Sequence, residues 1–122
     1  MMLEITRDQT LKLIKSYYKI YQSMNVDVNH EVVKGYRGYY EEEYAHVNII
    51  IETKKEILGE ICKVKFNLNE EEIKNIFEQL LQKENYNVTY LGYDAVIDPD
   101  DKEAKFNGMK IEVESNQKQK VK

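Results

Sequence analysis

The residues best suited to chemistry are few and widely spaced. His30 and His46 are the two histidines, Cys62 is the one cysteine, and Ser16, Ser23 and Ser115 are the only serines. The histidines share no HxH or i, i+4 spacing, so neither has the partner that a metal site would require. A single cysteine excludes an intramolecular disulfide, a CxxC redox pair and a thiolate zinc knuckle. Placed in a strand opposite Val47, it is expected to pack as a small apolar group. None of the serines lies in a GxSxG elbow. Asp98, Asp100, Asp101 and Glu103 resemble the opening of a calcium loop, but Lys102 stands at the fifth position, Glu103 replaces the turn glycine and Met109 replaces the closing glutamate. That segment reads as a polar turn fixed by Pro99. Phosphate-binding GxxxxGK[ST] and GxGxxG sequences are also missing. We therefore expect no catalytic residue, no metal and no cofactor, and a protein that is not an enzyme.

Binding chemistry is better represented. Of ten tyrosines, Tyr36, Tyr39, Tyr40 and Tyr44 gather around Gly35-Tyr36-Arg37-Gly38-Tyr39-Tyr40. Tyrosine and arginine can stack on bases. However, Glu41, Glu42 and Glu43 follow at once, and the net charge of -4 opposes attraction to a phosphate backbone. Nucleic acid is thus disfavoured, and a tyrosine-rich protein interface is the expectation, because tyrosine offers contact area and a hydrogen bond at low entropic cost.

Two helices and five strands must position these residues. Thr6-Arg7-Asp8-Gln9 is a capping box. From it Leu11, Ile14, Tyr18 and Tyr21, interleaved with Leu13, Tyr17, Ile20 and Met24, make a broad apolar stripe, with Lys12, Lys15 and Lys19 on a solvated face. Residues 30–43 read as an irregular edge strand in which Gly35 and Gly38 mark bulges or close backbone approach. Ala45, Val47, Ile49 and Ile51 alternate as a half-buried strand, 53–56 reads as a polar turn, and 57–68 returns as the second arm of a hairpin. Asn69 caps a second helix with Glu72 at the reciprocal position, and Ile73, Ile76, Phe77, Leu80 and Leu81 follow helical spacing. Strands are expected over 86–97, with Gly92 a bulge, and over 104–114. No internal repeat is apparent.

The order α-β-β-β-α-β-β with short connections predicts an α+β fold: an antiparallel sheet of about five strands with both helices packed on one face. Residues 1–114 form the expected single domain, and 115–122 a flexible polar, basic tail. Without the lysines of that tail, 15 basic side chains face 22 acidic ones. No apolar run has membrane-spanning length and the first residues lack a signal peptide's pattern, which predicts a cytoplasmic protein that does not engage membranes.

A hairpin turning at Lys54-Lys55 would pair Tyr44 with Lys65, His46 with Lys63, Asn48 with Ile61 and Ile50 with Gly59 on the face away from the helices. This open face, together with Tyr36, Arg37, Tyr39 and Tyr40, is the predicted binding surface. The element order resembles the secretion-chaperone fold without its final helix, and that resemblance implies dimers that bind unfolded segments of client proteins. The expected function is a non-catalytic, homodimeric protein-binding module: a small regulator, inhibitor or chaperone-like adaptor, with a basic partner suited to its acidity. An accessory protein of a phage or other mobile element fits the same description. The alternative is a small-ligand or nucleotide binding protein using the tyrosine-rich edge and His46.

Overall fold

The computed structural model describes residues 1–39 and 42–115. The order is β1 (Met2–Thr6), α1 (Arg7–Tyr21), β2 (Asp27–Arg37), β3 (Glu42–Ile57), β4 (Glu60–Leu68), α2 (Glu70–Gln82), β5 (Tyr86–Ile97) and β6 (Ala104–Ser115). The fold is α+β, but its six strands form two antiparallel sheets of three, ordered β1-β6-β5 and β2-β3-β4. This corrects the expectation of one sheet of about five strands. It also removes the element order on which the likeness to the secretion-chaperone fold rested, because β1 precedes α1 and pairs with the far end of the chain, Leu3 opposite Ile111 and Ile5 opposite Met109. Of the expected tail, all but Ser115 lies outside the described residues.

Both helices begin where their caps predict. The Thr6 hydroxyl accepts from the Gln9 amide at 3.1 Å while Gln9 Oε1 accepts from the Thr6 amide at 2.9 Å. Asn69 and Glu72 repeat the arrangement at 2.7 and 3.1 Å. These bonds satisfy amides that a helix start leaves without partners. α1 buries Ile14, Tyr17 and Tyr18, and α2 buries Ile73, Ile76 and Phe77. They meet Val47, Ile49 and Ile51 of β3 and Phe106, Met109, Ile111 and Val113 of β6 in one continuous core. α1 packs on β6 and β2, one strand from each sheet, whereas α2 packs on β5. The Tyr21 hydroxyl donates to the Gln79 carbonyl at 3.3 Å and joins the helices.

The topology contains an internal repeat that the residue types conceal. The chain divides into two β-α-β-β units, β1-α1-β2-β3 and β4-α2-β5-β6, which exchange their first strands: β1 completes the sheet of β5 and β6, and β4 completes that of β2 and β3. Registers agree between the units. Leu3 opposite Ile111 corresponds to Phe66 opposite Ile51, and Ile111 opposite Leu91 to Ile51 opposite Val28. Counted from their caps, fully buried Thr10 and Ile14 occupy the places of Ile73 and Phe77. His30 and Tyr93 are likewise equivalent, opposite Ile49 and Met109. Both rings contact Phe106, at 5.5 and 5.6 Å between centroids.

Candidate functional site

The predicted surface residues lie on the β2-β3-β4 sheet, in a register that differs from expectation. β3 does not turn at Lys54-Lys55 but continues to Ile57, and the reversal falls at Leu58-Gly59 with φ of 55° and 81°. Positive φ at both central residues is what a two-residue type I′ hairpin needs, although leucine is an unusual occupant of the first position. Ile61 consequently pairs with Glu56 instead of Asn48, Lys63 with Lys54 instead of His46, and Ile50 with Asn67 instead of Gly59. The displacement is by an even number of residues, so the faces survive: Tyr44, His46, Asn48, Ile50, Ile61 and Lys63 still share one side. Their proximity does not. Ile50 and the Ile61–Glu56 pair are separated by roughly 20 Å along the strand at about 3.3 Å per residue, so Ile61 stands apart from the rest of the predicted surface. Cys62 pairs with Lys55, not Val47, and is half-buried outside the core cluster, its thiol 3.8 Å from the Glu60 carbonyl.

The tyrosine-rich segment separates into two parts. β2 is an edge strand as expected, but its register with β3 runs without a bulge from Asp27–Glu52 to Arg37–Glu42. Tyr44 faces Gly35, where a Cβ would stand 2.5 Å from the ring's Cζ. Glycine is therefore required for the ring to cross the neighbouring strand, and the close-approach reading of Gly35 holds. On the Tyr44 ring rests the Arg37 guanidinium, 5.1 Å from its centroid, and the His46 ring meets its edge at 6.3 Å. Arg37, Tyr44 and His46 thus form a ladder on the face turned from the core. Tyr36, paired with Glu43, points to the other side, beyond the core's end, and is 60% exposed. Tyr39 follows Gly38 in the turn, and Tyr40 lies outside the described residues. Gly92 likewise marks a close approach, beneath the Tyr90 ring, while the irregularities of β5 fall on either side of it.

Sequence patterning missed the most exposed apolar feature. From Thr53 to Val64 the β3–β4 hairpin carries no buried residue, and β4 packs chiefly on β3. At its tip Ile57, Leu58 and Ile61 are 44, 98 and 77% exposed. This two-stranded arm carries Lys54, Lys55 and Lys63, the last 3.6 Å from Glu52, and at its tip Glu56 and Glu60, which pair with Ile61 and Ile57. The signal in the sequence was the run Ile57-Leu58-Gly59-Glu60-Ile61, which a turn assigned to Lys54-Lys55 draws into the strand.

A groove of about 950 Å³ lies between α2 and β5. Glu70, Glu71 and Glu78 rim it, Lys74 lies 3.9 Å from Glu78, and Ile73, Leu91 and Tyr93 supply its apolar part. Burial, with the Glu70 carboxylate nearby, pushes the Tyr93 hydroxyl up to about 12. The equivalent groove of the first unit, between α1 and β2, is lined by Leu11, Lys12, Lys15, Asp27, Val28 and Asn29. One matching position thus carries opposite charge, Lys15 in the place of Glu78, whereas Lys12 corresponds to Asn75 and Leu11 to Lys74.

The acidic turn is internally satisfied. Asp98 Oδ1 accepts from the Asp100 amide at 2.8 Å, and Lys105 Nζ reaches Asp98 and Asp101 at 3.0 and 2.9 Å. The lysine holds the Asp98 carboxyl below its ordinary range, and the Glu103 amide followed by the same lysine does so for Asp101. Among the described residues no group of three or more His, Cys, Asp or Glu side chains could hold a metal ion, and no helix is long and apolar enough to cross a membrane. No protein-family model matches the chain, and no curated protein or solved structure is significantly similar to it.

Proposed function

We propose that the protein is a non-catalytic, self-associating protein-binding module, of the kind that regulates, inhibits or chaperones another protein, and that its β3–β4 arm is the contacting element. The observation that carries this reading is the arm's tip, where Ile57, Leu58 and Ile61 stand in solvent on a ribbon with no buried residue. A two-stranded ribbon is marginal in water by itself, and here both of its faces present an exposed isoleucine, Ile61 on the side of His46 and Ile57 on the other, with Leu58 in the turn between them. The ladder of Arg37, Tyr44 and His46 lies at the far end of the same sheet and presents groups suited to interfaces. The His46 ring meets the edge of the Tyr44 ring, a contact that suits recognition.

The test is site-specific photo-crosslinking from position 58 in a lysate of the source organism, compared with the same probe in a chain also carrying Ile57→Asp and Ile61→Asp. Adducts that are protein, saturable by unlabelled chain and lost in the double variant are expected. Adducts of equal yield in both chains would overturn the arm as the contacting element.

A further inference from the structure

We infer that two copies of the chain exchange halves: the hairpin opens at Leu58-Gly59, and the β1-α1-β2-β3 half of each copy completes the β4-α2-β5-β6 half of the other. This rests on the proposed self-association through the arm and names how the arm brings it about. Neither half holds a complete sheet, because β2 and β3 need β4, and β5 and β6 need β1. The core is shared in the same way, with Ile14 and Ile49 of the first half in one cluster with Phe77, Met109 and Ile111 of the second. The covalent link between the halves is the turn, two residues between Ile57 and Glu60. A second copy offers each of these contacts in identical form, so exchange retains both sheets and the core and changes only the link.

The link is strained when closed. Leu58 sits at φ 55°, in the left-handed region that disfavours residues with a Cβ, and its side chain is 98% exposed. Extending the link returns Leu58 to ordinary strand backbone, and strain of this kind in a short hinge favours exchange. Geometry permits the opening. From Ile57 to Glu60 an extended chain spans about 10 Å, so the two links cross close to the two-fold axis and the two lobes stand tip to tip. Residues from Lys54 to Ile61 are all exposed, which leaves roughly 13 Å of bare ribbon on each lobe. That length keeps the two bodies apart when the tips meet, whereas a hairpin buried up to its turn would drive them into collision. The crossing also brings both Leu58 residues to the axis, where each exposed leucine can pack on the other.

The experiment refolds the full chain from urea at rising concentration and resolves the products by size-exclusion chromatography with light scattering. A dimer fraction that grows with concentration during refolding and persists after dilution is expected, because return to the closed form requires the halves to part. Leu58→Asn installs the Asn-Gly pair that a type I′ turn prefers and should lower the dimer fraction at least fivefold. Leu58→Pro, whose φ is fixed at about −65°, should raise it. Exchange itself is read at the cross-strand pair of Lys55 and Cys62. A Lys55→Cys, Cys62→Ser chain refolded together with the unmodified chain should form an interchain disulfide in the mixed dimer, since its new thiol then lies across the ribbon from Cys62 of the other chain. The same two chains refolded separately and mixed afterwards should not. A chain monomeric at every concentration, a dimer without that disulfide, equal disulfide yield from chains folded before mixing, or a Leu58→Asn chain that dimerises as fully as the unmodified one would overturn the inference. A chain that stays monomeric but gives arm-dependent adducts with another protein, or that dimerises through the arm without exchange, would still uphold the arm as the contacting element, so the two readings fail separately.

Discussion

Gly108 should be the least replaceable small residue in the chain. It lies where β1 crosses β6, opposite Thr6 on one side and Asp94 on the other, and its φ is 146°. A Cβ there would fall on the carbonyl oxygen of Ile5 and within 2.9 Å of the carbonyl carbons of Ile5 and Thr6. All three are backbone atoms, so no rotamer change relieves the overlap. Either β6 deforms or β1 lifts away, and lifting β1 exposes the half-buried Leu3 and Ile5 and disturbs the cap of α1. Full burial of an aliphatic side chain contributes about 1.5–3 kcal/mol. Losing roughly half of that at two positions, together with a cap worth about 1 kcal/mol, puts Gly108→Ala at about 2.5–4 kcal/mol.

Gly59→Ala is the control, because Gly59 also has positive φ, 81°, but nothing lies within 4 Å of the added carbon. Only the left-handed strain applies there, about 1–2 kcal/mol. Urea unfolding followed by circular dichroism measures both variants, and hydrogen exchange over residues 2–6 shows whether β1 is the element released. Equal destabilisation by the two substitutions would refute the steric account, as would unchanged protection of β1 in a strongly destabilised Gly108→Ala.

Two further expectations concern the caps and one histidine. Thr6→Ala and Asn69→Ala should each cost about 1 kcal/mol in urea unfolding, and the double variant should show their sum, since the boxes sit on different helices; a loss confined to one variant would contradict their equivalence. Burial, followed by the Arg7 charge, lowers the His30 titration from its ordinary 6.5, so between the lowered value and 6.5 the unfolded chain binds more protons than the folded one. The contribution of His30 is therefore complete above about pH 6.5 and lost as pH falls through that interval. The urea midpoint should fall from pH 7 to pH 5, less steeply in His30→Gln; an identical slope in the variant would remove His30 as the cause.

Local signals were legible and long-range pairings were not. The capping boxes at Thr6 and Asn69 placed both helix starts because the hydrogen bonds involved span three residues. Alternation of Val47, Ile49 and Ile51 identified the buried face of β3, and parity carried Tyr44, His46, Asn48, Ile50, Ile61 and Lys63 to the other face even though the pairing was displaced. β1 escaped notice because Leu3 and Ile5 provide only two turns of alternation, and its partner, β6, lies at the opposite end of the chain. The turn was misplaced because Lys54-Lys55 has the polarity of a loop, whereas Leu58-Gly59 contains a bulky residue at positive φ. The error hid the arm, since a reversal at Lys54-Lys55 leaves no exposed tip to carry Leu58.

The repeat stayed hidden because equivalence is maintained in burial and register, while side-chain identity has diverged. Thr10 and Ile73 are both fully buried, but one needs a hydrogen bond to the Thr6 carbonyl, at 2.8 Å, and the other does not. Ile14 and Phe77, or His30 and Tyr93, fill corresponding places with different shapes. A core tolerates such exchanges when total volume is kept, and surfaces are freer still. The grooves beside α1 and α2 show where that freedom leads: one backbone frame carries Lys15 in the first unit and Glu78 at the matching place in the second.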